Sequence, residues 1–411
     1  MARSFWLETL GCPKNEVDSD KLVGTLVADG MVPAQGPDQA DVVVVNTCAF
    51  IESARQESVD AILALDEHRR AGSELVVTGC LAERYGSQLA EAMPEVDRVA
   101  GFGVPVTLGR QAVPSLDLLN LPRPRSSRPW AYVKIAEGCD RKCGFCAIPS
   151  FRGPQRSRSV AEILREVEEL DAKEVVLVAQ DLASYGRDDA GLGAGSIVAL
   201  VEAVAARVPR TRLLYLYPSD LSDELIDVIG GPSGVAYYDL SLQHVAKALL
   251  RRMRRWGDAE RFLTRIADIR RRYPEAAFRS NFIVGYPGET ETDHDELLRF
   301  VEAAQLDWVG FFSYSKEEGT LAAGLDGDVD PRLVAERLQE LQELQEGVTS
   351  ARRRALVGQR VEVLVDAPGV GRTHRETPEI DGIVEVPPTL AVAGFHQVTV
   401  KAAFGTDLQA A

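Results

Sequence analysis

Nowhere in the 411 residues does an apolar run approach the length of a membrane span; the densest stretch, Asp41 to Asn46, holds four valines. The beginning, Met1-Ala2-Arg3-Ser4-Phe5-Trp6-Leu7-Glu8, places Glu8 where a secretory signal would continue its apolar stretch. Together these predict a cytoplasmic protein with no membrane association. Positive charge is in deficit: 46 Lys and Arg stand against 62 Asp and Glu, a net charge of −16 with a pI near 4.9. That balance weighs against broad nucleic-acid binding, which needs cations to displace counterions, and suits a basic partner better. Histidine is scarce. The five, His68, His244, His294, His374 and His396, all lie far in sequence from the densest group of cysteines. Internal repeats and low-complexity tracts are lacking.

The bulk composition, 45% hydrophobic and 26% charged, is that of a globular protein with chain enough for two or three domains. The six cysteines carry more information. In a cytosolic chain they point to metal or redox chemistry rather than disulfides. Cys139, Cys143 and Cys146 share one loop, Gly138-Cys139-Asp140-Arg141-Lys142-Cys143-Gly144-Phe145-Cys146, with an aromatic before the last thiol. Three thiolates are one short of the usual four around an iron–sulfur cluster, so such a loop can wrap three corners of a cubane and leave one iron open. Zinc is the competing reading, but zinc sites usually pair Cys-x-x-Cys motifs or add nearby histidines. Cys12, Cys48 and Cys80 are dispersed, yet each follows an apolar, strand-like run. Taken singly, each reads better as a buried structural cysteine than as a ligand.

The chain predicts an α/β multidomain protein. In the first domain, 1–120, strands over 5–10, 41–47 and 74–79 alternate with helices over 18–29 and 54–70, with residues 11–15 as a loop. This alternation implies a parallel sheet, and ligands of such sheets lie beyond the carboxyl ends of the strands. All three dispersed cysteines fall there. Residues 121–129, rich in Pro, Arg and Ser, read as a solvated linker. Strands over 131–136, 174–179, 212–217, 236–242, 278–284 and 308–313, separated by helical patterns, make a central partial (β/α)6 barrel over 130–350. A charged helix over 331–354 follows. In the last domain, 351–411, strands over 360–365, 379–386 and 395–401 read as a small all-β barrel. From Val357 onward it carries Arg360, Arg372, Arg375 and Lys401 against Glu362, Asp366, Glu376, Glu379, Asp381, Glu385 and Asp407.

The compact motif, Cys139-Asp140-Arg141-Lys142-Cys143-Gly144-Phe145-Cys146, resembles the signature of the radical S-adenosylmethionine enzymes. The resemblance implies that the open iron binds S-adenosylmethionine, whose reductive cleavage yields a 5′-deoxyadenosyl radical. Gly11-Cys12-Pro13-Lys14-Asn15, Asn46-Thr47-Cys48 and Thr78-Gly79-Cys80 resemble the half-motifs of the methylthiotransferase amino-terminal domain, and the last barrel is placed like that family's TRAM domain. The resemblance implies a second cluster on Cys12, Cys48 and Cys80, hence two 4Fe-4S clusters. S-adenosyl-L-methionine then serves as radical source and as methyl donor.

Within the family, transfer-RNA enzymes tend to carry Gly-Cys-Gln-Met-Asn and an Asn after the first cysteine of the radical motif. Here stand Gly11-Cys12-Pro13-Lys14-Asn15 and Asp140. Cys146-Ala147-Ile148-Pro149-Ser150-Phe151-Arg152-Gly153, with Ser157-Arg158 and Leu242-Gln243-His244, is similar to the class acting on small-subunit ribosomal protein twelve. The implied activity is methylthiolation of the β-carbon of one aspartate of that protein, possible also within the ribosome, fed by an external electron donor such as flavodoxin and with no direct tRNA substrate. Phe145, Gln180, Gln243, Ile283 and Gly285 are the expected cofactor contacts. The turn at Ile283-Val284-Gly285-Tyr286-Pro287-Gly288-Glu289-Thr290 resembles the family's adenosyl-binding turn, although Asn281 stands where glycine is common. Asp181 reads equally as a helix cap. Of Arg251, Arg252, Arg254 and Arg255, one at most turns inward. The resemblance identifies no catalytic side chain. Two alternatives stay open: a tRNA adenosine methylthiotransferase, and a non-catalytic iron–sulfur or zinc protein that binds ribosomes.

Overall fold

The computed structural model describes residues 2–101, 119–193 and 195–411. Part of the expected first domain, residues 102–118, lies outside them. No helix among the described residues is long and apolar enough to cross a membrane.

The four-valine run becomes Val42–Thr47, the middle strand of a five-stranded parallel sheet ordered Val32–Pro33, Ser4–Thr9, Val42–Thr47, Glu74–Gly79, Arg98–Ala100. It is buried along its whole length, as a strand covered on both faces should be. Asn46 pairs with both Thr9 and Thr78, so three strands end in one row. Cys12, Cys48 and Cys80 follow that row by two or three residues. The two edge strands were not expected; they are only 2 and 3 residues long and carry little pattern. The helix expected from residue 18 begins five residues earlier, at Pro13–Ala28, with Cys12 at its N-cap. Pro13 causes this, since its fixed φ and missing N–H suit a first helical position. Helices Glu52–His68 and Cys80–Ala92 complete the domain.

The central domain holds six parallel strands in two sheets. Trp130–Lys134, Glu174–Val178 and Arg210–Leu213 form one; Tyr237–Gln243, Ala277–Val284 and Trp308–Ser313 form the other. A single bridge between Leu216 and Leu240 joins them. The strand expected over 212–217 stops at Leu213 because Tyr215 takes φ +63°, which lifts the chain out of the sheet. Pro331–Arg354 is the long helix expected.

Five strands, Arg360–Ala367, Val370–Arg372, Val384–Glu385, Phe395–Phe404 and Asp407–Ala410, close the terminal barrel. The strand expected over 379–386 shrinks to two residues. The segment before it is drawn onto the central domain: Tyr132 Oη donates to the Pro378 carbonyl at 2.9 Å, Trp308 Nε1 to the Arg375 carbonyl at 2.6 Å, and Tyr237 Oη to Asp381 at 2.6 Å. A buried carboxylate anchors the same interface. Glu174, fully shielded, accepts from Arg212 at 2.7 Å and from the barrel's Arg372 at 3.0 Å, with Arg210 at 3.8 Å.

The linker is not a free, solvated strap. Arg123 pairs with Asp20 and reaches Glu166 at 3.3 Å, and Arg128 bonds Glu16 at 2.9 Å and Glu379 at 2.8 Å. The linker also lies directly on helix Pro13–Ala28: a Cβ on Gly24 would sit 2.4 Å from the Pro122 carbonyl oxygen.

Candidate iron–sulfur and cofactor site

Two of the three dispersed cysteines follow a backbone turn that glycine permits. Gly11 and Gly79, immediately before Cys12 and Cys80, have φ of +96° and +92°. A Cβ on Gly11 would collide with Cys48, and one on Gly79 would stand 2.4 Å from Asn46 Oδ1. Ser58 Oγ accepts from the Cys48 amide at 3.0 Å. Asn15 donates to the Leu10 and Thr47 carbonyls at 2.9 and 3.0 Å, tying the first cysteine loop to the second.

The three thiols feel one another. Burial pushes Cys48 up to about 12, with Cys80 and Cys12 adding to the rise; Cys80 is raised by burial and by Cys12. Cys12 moves the other way. Burial opposes ionisation there, but the Lys14 ammonium and the N–H groups of Asn15 and Lys14 at the helix start outweigh it. Cys12 is therefore the thiolate ready first.

The compact loop is pinned from three sides. Cys139 N–H donates to the Gly153 carbonyl at 3.1 Å, Gly144 N–H to Met253 at 2.8 Å, and Ala322 N–H to the Gly144 carbonyl at 2.8 Å. Tyr286 Oη would be 2.9 Å from a Cβ on Gly144, so the loop seats tightly on the turn after Ala277–Val284. Burial raises Cys139 to about 11 and Cys146 to about 12, and within this loop too the thiols reinforce one another. Binding a cationic cluster would release those protons. Among the described residues no three His, Cys, Asp or Glu side chains sit close enough to share one metal ion. A cubane instead spreads its sulfur ligands over separate irons. Three mutually coupled thiols per set, on loops shaped by glycine, fit such a group.

The segment after Leu213 passes between the two sets. Lys14 Nζ lies 3.5 Å from the Tyr215 ring centroid, and Cys12 raises the Tyr215 phenol further after burial has done most of the work. Two residues on, the guanidinium groups of Arg141 and Arg255 each stand 3.9 Å from the Tyr217 ring centroid. Arg255 Nη1 also donates to Cys143 Sγ at 3.4 Å. Of the arginine run it is Arg255 that turns inward to a thiol; Arg252 bonds the Asp326 carbonyl at 2.5 Å near the surface.

The expected cofactor contacts come from several segments of the central domain. Phe145 packs against the central core. Gln180 donates to Glu137 at 2.5 Å, leaving its Oε1 buried without a partner. Gln243 ends its strand with φ +73°. Ile283 lies on Ala277–Val284, and Gly285 follows it with φ +80° against Val334. Glu289 holds this turn, accepting from the Gly285 amide at 2.6 Å and from Arg337 at 2.9 Å. Asp181 makes no side-chain cap on its short 3-10 turn. Its carboxylate takes Arg141 at 2.5 Å and Ser184 at 2.6 Å. Asp181 Oδ1 and Asn281 Oδ1 are further buried oxygens without partners, as a polar ligand bearing ammonium and hydroxyl donors would require.

Sequence reasoning missed Arg152, although it lies inside the quoted motif. Its guanidinium reaches Cys80 Sγ at 3.0 Å and Asn15 Oδ1 at 2.8 Å. Arg141, Tyr215 and Tyr217 were also assigned no role. Nothing local marks them, because their partners come from distant segments.

Comparison with known proteins follows this division. The family model described as Uncharacterized protein family UPF0004 matches residues 4–101, that of the Radical SAM superfamily residues 133–301, and that of the TRAM domain residues 357–411. The ribosomal protein uS12 methylthiotransferase RimO of Moorella thermoacetica is 42% identical over 415 residues, covering 96% of this chain and 95% of the relative. Its namesake in Sorangium cellulosum is 41% identical, covering 93% and 85%. Among solved structures, the radical S-adenosylmethionine methyltransferase TsrM from Kitasatospora setae, with tryptophan and aza-SAM bound, superposes with a TM-score of 0.53. It is 14% identical and covers 95% of this chain and 82% of its own, a likeness of fold.

Proposed function

Since the chain belongs to the ribosomal protein uS12 methylthiotransferase RimO family, we propose that it adds a methylthio group to the β-carbon of one aspartate of uS12. A radical S-adenosylmethionine domain and the need for an iron–sulfur cluster and S-adenosylmethionine come with that membership. The finer reading is that each cysteine set holds its own 4Fe-4S cluster. Cys139, Cys143 and Cys146 would hold the one that binds S-adenosylmethionine, and Cys12, Cys48 and Cys80 the one that carries sulfur. When bound, these groups supply a 5′-deoxyadenosyl radical able to take hydrogen from unactivated carbon, and the sulfur that a second S-adenosylmethionine methylates.

The observation that carries this is the Tyr215–Tyr217 segment. It touches Lys14 beside one triplet and Arg255 beside the other, which supports a substrate carbon placed at the domain boundary between the two sets. The chain's own residues prepare the site. The first-domain sheet and the partial barrel present their carboxyl ends to each other. Arg55 and Arg84 hold them together through Glu317, Arg84 at 2.7 Å. Gly285, Ile283 and Gln243 would cradle the adenosyl part, Phe145 would pack beside the cluster, and Gln180 would accept from the cofactor's ammonium. Lys14 and the start of helix Pro13–Ala28 favour the Cys12 thiolate.

The test is to incubate the reconstituted enzyme with S-adenosylmethionine and reduced flavodoxin, offering uS12, 30S subunits or tRNA. A methylthio mass gain on uS12 is expected. Modified tRNA with unmodified uS12 would overturn the reading. An iron content of about four per chain, in place of about eight, would remove the second cluster.

A further inference from the structure

Four shielded charges meet at the boundary of the first and central domains. Lys134 Nζ lies 2.5 Å from Asp18 Oδ1 and 2.7 Å from Glu137 Oε2. Arg152 Nη1 lies 3.1 Å from Asp18 Oδ2 and 3.1 Å from Glu137 Oε2. Two cations and two carboxylates cancel, but taking all four out of water is costly, and apolar side chains of the same volume would pack at least as stably. The square therefore calls for a reason beyond packing, and Arg152 supplies one. Its other terminal nitrogen, Nη2, points out of the square and donates to Cys80 Sγ at 3.0 Å and to Asn15 Oδ1 at 2.8 Å.

The remaining corners lead to the other cysteines. Asp18 lies on the helix that Cys12 caps. Glu137 directly precedes Gly138-Cys139, and its Oε1 accepts from the Gly138 amide at 3.3 Å. Arg152 itself ends the short helix Ile148–Arg152 that follows Cys146. One guanidinium thus touches a thiol of the first domain while its own backbone is anchored to the loop of the second set.

We propose that Arg152 is a positioning residue that fixes the first-domain cluster relative to the central one and tunes its potential. Donation to a ligand sulfur stabilises the more negative, reduced form, so Arg152 holds the reduction potential of the Cys12/Cys48/Cys80 cluster up. Lysine, a single-point donor, cannot serve the carboxylates and the sulfur together. This inference rests on the two-cluster reading above.

The test uses the full-length chain carrying Cys139→Ala, Cys143→Ala and Cys146→Ala, which leaves only the first-domain cluster. Iron content and the midpoint potential, followed by electron paramagnetic resonance, are measured with and without Arg152→Lys. The Lys variant is expected to keep its iron and to titrate at a more negative potential, with a changed resonance signal. Arg152→Gln carries the same measurement if the Lys variant does not retain its cluster. Iron lost from both variants, with circular dichroism unchanged, supports the role in holding Cys80. An unchanged potential and signal in an iron-loaded variant overturns this inference alone. If the chain lacking the central cysteines binds no iron even with Arg152 in place, the two-cluster reading falls and takes the inference with it.

Discussion

The Cβ that Gly11 lacks would stand 2.8 Å from Cys48 Cβ and 3.0 Å from Cys48 Sγ. Space for the first cysteine set is thus made by an absent side chain, at a backbone angle that L-residues rarely adopt. Gly11→Ala is expected to cost roughly 1–2 kcal/mol of backbone strain and to displace Cys48. Roughly half of the iron should be lost while 5′-deoxyadenosine formation persists, and uS12 should go unmodified. Iron assay, chromatography of the nucleoside and mass spectrometry of uS12 read the three effects. Gly30→Ala is the control, since Gly30 also has positive φ but faces open space; its iron should stay.

Glu174 neutralises arginines from two domains. Glu174→Gln leaves Arg212 and Arg372 buried with a weakened partner and should cost about 3–5 kcal/mol, read by thermal or denaturant unfolding. Burial opposes its ionisation, but Arg372, Arg212 and Arg210 hold the wild-type carboxyl down at about 2. The stabilisation is full above the unfolded value of about 4.3 and drains away as pH falls from there towards 2. The variant should lack this acid-side slope, and a parallel slope in both proteins would refute the assignment.

At the junction of linker and terminal barrel the sign reverses. Burial first, then the neighbouring Glu379, raises Glu16 to about 7. Its penalty is absent below the unfolded value of about 4.3, grows as pH rises from there to about 7, and is full above it. Glu379→Gln should therefore stabilise the protein at pH 8 by about 0.5 kcal/mol, a small value because Glu379 is half exposed, and leave it nearly unchanged at pH 4.5. Melting curves at the two pH values decide the matter; equal shifts at both would count against it.

Gly24 has ordinary helical geometry, so its requirement is steric. With the Pro122 carbonyl 2.4 Å from a would-be Cβ, Gly24→Val must lift the linker and loosen the Arg123 contacts with Asp20 and Glu166. A loss of roughly 1–3 kcal/mol is expected. Faster proteolysis within 121–129 should accompany it, and an unchanged cleavage pattern would show that the linker does not depend on this seat.

What could be read from the chain was whatever acts locally. The valine run, the strand-end cysteines and the charged helix over 331–354 declare themselves through period and composition, and the structure has Pro331–Arg354 as expected. Arg152 could not be placed, because Cys80, Asn15 and Asp18 lie more than seventy residues away in sequence. The linker's composition suggested solvation, yet its arginines are matched by Asp20 and Glu16 on a helix that begins earlier than periodicity indicated. The charge count for the terminal barrel survives in the structure: Arg372 and Arg375 are buried against Glu174 and Glu275, but Glu376 and Asp381 are shielded as well, so the face left to solvent keeps the acidic excess of the tally.

The run from Tyr215 to Tyr217 is constrained in length rather than in composition. Its two rings sit over cations belonging to opposite domains, and at most about 7 Å can separate their Cα atoms. Conservative replacements there alter contacts by degrees. Adding or removing one residue would instead pull one ring off its cation altogether, so diverging copies of this chain can drift in spelling at these positions but not in reading length.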